Sequence, residues 1–181
     1  MEGSADSAGW KGNCVAKLYL LRHAKAGWAL PGTRDFDRAL DPSGVTDAEM
    51  IGTAMRAHGY VPDMTLCSGA LRARETLGGI ASHTDTGRVL YFDKLYSEDA
   101  AGYLEIIRDH GGYGSLLVIG HNPMMEDLAM AVSSDGDEGA RETLEHGFPT
   151  SGLAVIRFDG SLKNAAPGKG YLEAFLTPVT V

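Results

Sequence analysis

The sequence predicts an α/β protein, a three-layer α/β/α sandwich on a mostly parallel sheet of about six strands with at least one antiparallel strand. Three observations lead there. Apolar runs rich in Val, Ile and Leu alternate with segments of helical period between Val15 and Val132. Three of those runs stop at cationic or polar residues, as buried strands do where they open onto a ligand site. The last two runs, Leu153 to Phe158 and Tyr171 to Leu176, have no helix-length segment between them, which predicts the antiparallel strand.

Residues 1–13 are rich in Gly, Ser, Ala and Asp and read as a flexible tail ahead of a single domain over 14–181. The first strand is Val15 to Leu21. A Gly-, Pro- and charge-containing loop then runs to Asp41, over the strand exit. Asp41-Pro42 has the form of an N-cap followed by proline in the first turn. Val45, Ala48, Ile51 and Met55 share one helical face, and Gly59 ends that helix. Met64 to Cys67 is the second strand, Ala70 to Ser82 a helix, and Arg88 to Phe92 the third strand. Ala100 to His110 is a helix with Leu104 and Ile107 inward, closed by Gly111-Gly112. Ser115 to Ile119 is the fourth strand, and Asn122 caps a helix that carries Pro123 in its first turn and reaches Val132. Ser133 to Glu145 is polar and acidic and reads as a surface loop.

The bulk properties narrow the function. A net charge of -8 excludes general nucleic-acid binding, which needs a basic face. It also repels anions at long range, so an anion site must be assembled from a few local cations. Two cysteines make no disulfide framework, and a reducing cytoplasm is the expected compartment. No apolar run approaches the roughly 20 residues of a membrane span. No histidines or cysteines have ligand spacing, so neither a metal nor a cofactor is expected.

The strand exits carry the chemistry. The first ends in Arg22-His23, the second leads to Arg72, and the fourth ends in Gly120-His121. If the three strands are parallel neighbours, Arg22, His23, Arg72 and His121 converge. A neutral imidazole can attack phosphorus without a base, since its reference pKa is near 6.5, and the P–N bond it forms is labile to water. Guanidinium groups offer planar forks to the three oxygens of a phosphoryl group in flight, and a second imidazole can add a donor. His23 is the candidate nucleophile, with Arg22, Arg72 and His121 as stabilisers of developing charge. Arg38 and Lys25 are further candidates for the phosphate.

These residues resemble a known family. Arg22-His23 before a small residue, Ser68-x-x-x-Arg72-Ala73-x-x-Thr76 and Gly120-His121-Asn122-Pro123 resemble the histidine phosphatase superfamily, the fold of phosphoglycerate mutases and many acid phosphatases. Leu20-Leu21-Arg22-His23-Ala24-Lys25, Asp35-Phe36-Asp37-Arg38-x-Leu40 and Phe148-Pro149-Thr150 are similar to its SixA-type phosphohistidine phosphatases. The likeness spans about Leu18 to Pro178. It implies a phosphoglycerate mutase-like fold, a metal-independent phosphatase with His23 as the phosphorylated residue, and a pocket of Arg22, Arg72 and His121.

Two departures bear on the substrate. Ala24 stands where most of the superfamily has glycine. Larger members use a carboxylic acid to protonate an alkoxide; Glu98 and Asp99 lie in the corresponding region but in no pattern of a catalytic acid. A phosphohistidine leaves as imidazole and can take its proton from solvent, so the expected substrate is phosphohistidine on a signalling or phosphotransfer protein. The alternatives are a small phosphate monoester handled by the same mechanism and a phospho-binding module with negligible turnover. Two other phosphatase readings fail on spacing. Cys67 is followed by arginine after four and six residues rather than in a C-x5-R motif, and Asp35-Phe36-Asp37 does not directly follow a strand.

Overall fold

A computed structural model describes residues 14–112 and 114–181. The expected tail over 1–13 lies outside the described residues. Strand β1, Val15–Arg22, is buried at Ala16 and from Leu18 to Leu21 and sits at the centre of the sheet. Helix α1, Pro42–His58, starts at Asp41, whose carboxylate accepts from Gly44 N at 2.7 Å, and stops at Gly59, whose φ of 69° is the left-handed conformation open to glycine. Then come β2 (Met64–Ser68), α2 (Leu71–Ala81), β3 (Arg88–Phe92), the short α3 (Lys94–Ser97), α4 (Ala100–His110), β4 (Ser115–Gly120) and α5 (Met124–Val132). After these run β5 (Ser133–Gly136), α6 (Glu138–Glu145), β6 (Leu153–Asp159) and β7 (Gly170–Leu176).

The seven strands form one sheet in the order β3-β2-β4-β1-β6-β7-β5. Pairings are parallel from β3 through β1, and β6 is antiparallel to both β1 and β7. Alternation along β1 divides the core. Leu18 and Leu20 face Tyr103, Ile107, Leu128 and Val132 of α4 and α5, whereas Tyr19 and Leu21 face Ile51, Met55, Leu77 and Ile80 of α1 and α2. Helices thus cover both faces of the sheet, which is the three-layer arrangement the alternating pattern predicts. No helix of the described residues is long and apolar enough to cross a membrane.

Three local expectations need correction. Ser133 to Glu145 is not a loop. Ser133–Gly136 pairs in parallel with β7 at the sheet edge, and Asp137 caps α6 by accepting from Ala140 N at 3.1 Å. Ala140 and Leu144, four residues apart, are the buried stripe of that helix, too narrow for a composition average to register. Val45 is 45 % exposed. The inward residue of that turn is Gly44, which lies against the Lys25 carbonyl where a Cβ would collide, and Val45 projects about 100° round the helix. Finally, Asn122 does not cap α5. Its Nδ2 donates to Glu126 Oε2 at 3.2 Å and to Phe148 O at 3.1 Å, and Pro123 occupies the cap position.

Candidate active site

Strands β2, β4 and β1 are consecutive parallel neighbours, so their carboxyl ends open at one level. The register pairs Arg22 with Gly120 and both Leu21 and Cys67 with Ile119. This brings Arg22-His23, Ser68 and His121 to a common rim. Arg72 joins them from the first turn of α2, which begins three residues after β2 ends. The site therefore follows from strand adjacency: side chains from three separate stretches of sequence meet because β1, β2 and β4 are in register.

His23 is 9 % exposed, while His121 and Arg72 are each 5 % exposed. The His23 Nδ1 lies 2.7 Å from Ala24 O. A carbonyl can only accept, so Nδ1 carries the proton and Nε2 keeps its lone pair. Arg72 Nε donates to that Nε2 at 3.3 Å. The two imidazole rings are 5.0 Å apart between centroids. His121 Nε2 is 2.8 Å from Ser68 Oγ, and Ser68 Oγ also accepts from Ala70 N at 3.3 Å. Arg22 donates from one Nη to Phe148 O at 2.8 Å. Arg22 Nε and His121 Nδ1 are buried and have no hydrogen-bond partner among the described residues.

Electrostatics keep both rings neutral. Burial pushes His23 down to about 4, opposed by its bond to Ala24 O and reinforced by Arg72, Arg22 and Arg38. Burial pushes His121 down to about 3, with His23 and Arg72 adding to it. Burial also lowers Arg22 from its ordinary value. At neutral pH the site therefore combines two guanidinium cations with two uncharged imidazoles, one of which aims a lone pair at the cluster.

The loop after β1 adds a carboxylate. Asp35, in a single 3-10 turn over Asp35–Asp37, accepts from one Nη of Arg72 through its carbonyl at 2.7 Å and from the other through Oδ2 at 3.0 Å. Oδ2 also accepts from Tyr96 Oη at 2.9 Å, and Oδ1 pairs with Arg38 at 3.1 Å. The Tyr96 hydroxyl, followed by Arg72 and Arg38, holds the Asp35 carboxyl below the usual carboxylate range. Tyr96 lies edge-on to His121 at 5.5 Å and under the Arg72 guanidinium at 5.7 Å.

The remaining candidates are placed elsewhere. Lys25 extends to Asp41 at 3.3 Å with its side chain 62 % exposed. Arg38 reaches the rim only through Asp35 and also donates to Gly27 O at 3.2 Å. Asp99 is the N-cap of α4, accepting from Gly102 N at 2.9 Å, and the Glu98 side chain lies against Gly102. Neither carboxylate bonds to the cluster. Arg74, two residues beyond Arg72, stacks over Tyr91 at 5.9 Å. Among the described residues no group of three or more His, Cys, Asp or Glu is arranged to hold a metal ion.

Three residues support the cluster; Thr76 is the last position of the Ser68-x-x-x-Arg72-Ala73-x-x-Thr76 pattern, whereas Ser151 and Tyr96 had no sequence signal. Thr76, fully buried, donates to Arg72 O at 2.7 Å and accepts from Ala24 N at 2.9 Å, tying α2 to the turn after β1. Ser151 has a φ of 58° and donates its N–H to Arg22 O at 3.1 Å and His23 O at 3.3 Å. Tyr96 stands just before Glu98 and Asp99, with no local pattern that marks it for the site. Its bond to Asp35 is made across 61 positions of chain.

Comparisons with known proteins agree with this fold. The sequence model of the histidine phosphatase superfamily (branch 1) matches residues 18–105. An uncharacterized protein of Mycobacterium tuberculosis is 36% identical over 162 residues, covering 87% of this chain and 99% of that protein. The crystal structure of an Agrobacterium tumefaciens protein assigned as phosphohistidine phosphatase SixA is 37% identical, with a TM-score of 0.75 over 90% of this chain and 98% of that one. A Nakamurella multipartitia protein with the same assignment is 29% identical, with a TM-score of 0.80 over 91% of this chain and 97% of its own. A mixed sheet that brings two arginines and two histidines to one rim, in a chain similar over about nine-tenths of its length to SixA-type proteins, places this phosphatase in the histidine phosphatase superfamily, among its SixA-type members.

Proposed function

We propose that the single domain over 14–181 hydrolyses the phosphohistidine of a signalling or phosphotransfer protein, through a phosphoryl group held transiently on His23. The observation that carries this reading is the pairing of a lone-pair-bearing His23 Nε2 with Arg72 Nε at 3.3 Å, beside two buried nitrogens, Arg22 Nε and His121 Nδ1, that have no hydrogen-bond partner among the described residues. Buried donors without partners cost about 1–3 kcal/mol each, and an oxyanion in contact with them removes that cost.

In the first step Nε2 of His23 attacks phosphorus as the bond from phosphorus to the substrate nitrogen breaks. The bonding pair returns to the substrate imidazole, which leaves neutral when its other nitrogen is protonated. The guanidinium groups of Arg22 and Arg72 bind the equatorial oxygens. Ser68 Oγ, already an acceptor from Ala70 N, is free to donate to His121 Nε2, which leaves the His121 Nδ1 proton for a phosphoryl oxygen. In the second step water attacks phosphorus, the P–N bond to His23 breaks, its electrons return to Nε2, and a water proton is lost to solvent. The product is inorganic phosphate.

The leaving group favours P–N over P–O cleavage. An alkoxide needs a proton, yet neither Glu98 nor Asp99 bonds to the cluster, Asp99 capping α4 instead, and Asp35 is ion-paired to two arginines and held ionised. No metal or cofactor takes part in this scheme. Free cysteines, one exposed and one buried, suit a reducing compartment, and the cytoplasm is the proposed location.

His23→Ala tests the mechanism. It is expected to abolish turnover and to leave no acid-labile, alkali-stable phosphate on the enzyme; full activity in this variant would exclude the scheme. Rates on a phosphohistidine protein against a panel of sugar and nucleotide phosphates test the substrate. Preference for an ester would move the function to a small phosphorylated molecule, and background release with tight phosphate binding would make the chain a binding module.

A further inference from the structure

Asp35 is the one carboxylate bonded to the cluster among the described residues, and neither the family motif nor the mechanism above gives it a task. Its position is unusual for an anion site. Its backbone carbonyl and carboxylate together take two donors of Arg72, a residue with five, while Arg72 Nε holds the attacking nitrogen of His23. One guanidinium therefore separates a negative charge from the atom that meets the phosphorus. Asp35 is also 53 % exposed at its side chain, whereas the Arg72 side chain is 6 % exposed, so Asp35 lies on the solvent side of the guanidinium, where a leaving group attached to a macromolecule must sit. Arg38 and Tyr96 hold both of its oxygens in place.

A fixed anion here treats two classes of phosphate differently. A monoester brings only negative charge, and Asp35 repels it while competing for Arg72. A phosphorylated nitrogen is different. It is expelled as a neutral imidazole or amine only after it has taken up a proton, so the reactive form carries a cation next to the phosphoryl group. An adjacent carboxylate favours that protonated form and attracts it electrostatically. The same carboxylate, tied to two arginines, has no proton to give an ester oxygen.

We infer that Asp35 is the specificity-determining residue of this site, an anionic counter-charge that selects phosphoramidates, whose leaving imidazole or amine is cationic when it departs, and discriminates against dianionic phosphate monoesters. This rests on the phosphohistidine reading for its substrate, but its effect on a bare anion can be measured without it. Loss of one unit charge at this partly exposed distance corresponds to about a tenfold change in binding or rate.

Asp35→Asn is the test, because the amide oxygen can still accept from Arg72 and Tyr96 while the charge is lost. Three quantities are measured on the wild type and the variant: kcat/KM for a phosphohistidine protein, kcat/KM for p-nitrophenyl phosphate, and the dissociation constant of orthovanadate. The expected result is about a tenfold loss on phosphohistidine, a gain on the ester, and vanadate bound about tenfold more tightly. Unchanged vanadate affinity, or equal changes on both substrates, overturns the assignment. A wild type that prefers the ester instead sinks the phosphohistidine reading, and the vanadate measurement still reports whether Asp35 acts as an opposing charge. An unfolded variant would be recognised by circular dichroism, and Asp35→Ser, which also removes the charge, then carries the same three measurements.

Discussion

Replacing Thr76 with Val tests whether the turn carrying His23 is held by one buried hydroxyl. Thr76 Oγ1 accepts from Ala24 N at 2.9 Å and donates to Arg72 O at 2.7 Å, and both Thr76 and Ala24 are fully buried. Valine keeps the shape and deletes both bonds. Water cannot reach Ala24 N, so its N–H is left unsatisfied at a cost of about 1–3 kcal/mol. Serine keeps the hydroxyl and loses one methyl, about 1 kcal/mol. The catalytic consequence separates the two further. Ala24 O accepts the Nδ1 proton that fixes the tautomer and angle of His23, so slack at Ala24 moves the ring. A displacement near 1 Å in such a group can cost about 100-fold in rate, and Thr76→Val is expected to lose at least about tenfold in kcat. Thr76→Ser should stay within about twofold of the wild type, because the ring is still held by the same bond. Urea unfolding with a constant m-value and steady-state kinetics read both effects. Thr76→Val within about 0.5 kcal/mol of the wild type with full kcat, or serine as damaging as valine, would refute the argument.

Two further outcomes follow from the same structure. His23 and His121 are pushed down to about 4 and about 3, so neither ring takes up a proton in the folded protein near pH 6.5, whereas both do when unfolded. Stability contributed by these rings is therefore complete above about pH 6.5 and is lost as pH falls toward 4, by up to about 1.4 kcal/mol per pH unit for each ring. Activity that depends on a neutral His23 should hold to near pH 5, and an NMR titration finding either ring protonated at pH 6 would contradict this. Asp99→Ala removes the N-cap of α4 and should cost about 1 kcal/mol in thermal or urea unfolding while leaving kcat on a monoester unchanged. A large fall in kcat at unchanged fold would return Asp99 to the role of acid.

The regular elements were legible where hydrophobic period and end signals coincided. Asp41, Pro42 and Gly59 bracket α1 as their chemistry requires, and β3 and α4 begin and end where the apolar pattern does. The segment after α5 was illegible because β5, Ser-Ser-Asp-Gly, contains no apolar residue and exists only through its pairing with β7. Asn122 misled for a related reason. Its amide has the chemistry of a cap, but its donors are used by Glu126 and Phe148, which sequence proximity does not reveal in the case of Phe148.

The site divides the same way. By itself the sequence determined that cationic and imidazole groups stand at the exits of three buried strands, because a strand's end and the residue type beyond it are local properties. Only the tertiary structure decided that β2, β4 and β1 lie side by side, which brings those groups into contact. It also decided that Asp35 and Tyr96 close over Arg72 and that Asp99 caps α4. The physical reason is range. Caps, periodicity and strand ends act over a few residues, whereas the protonation of His23 and the partners of Arg72 depend on burial and charges that come together only when distant segments pack.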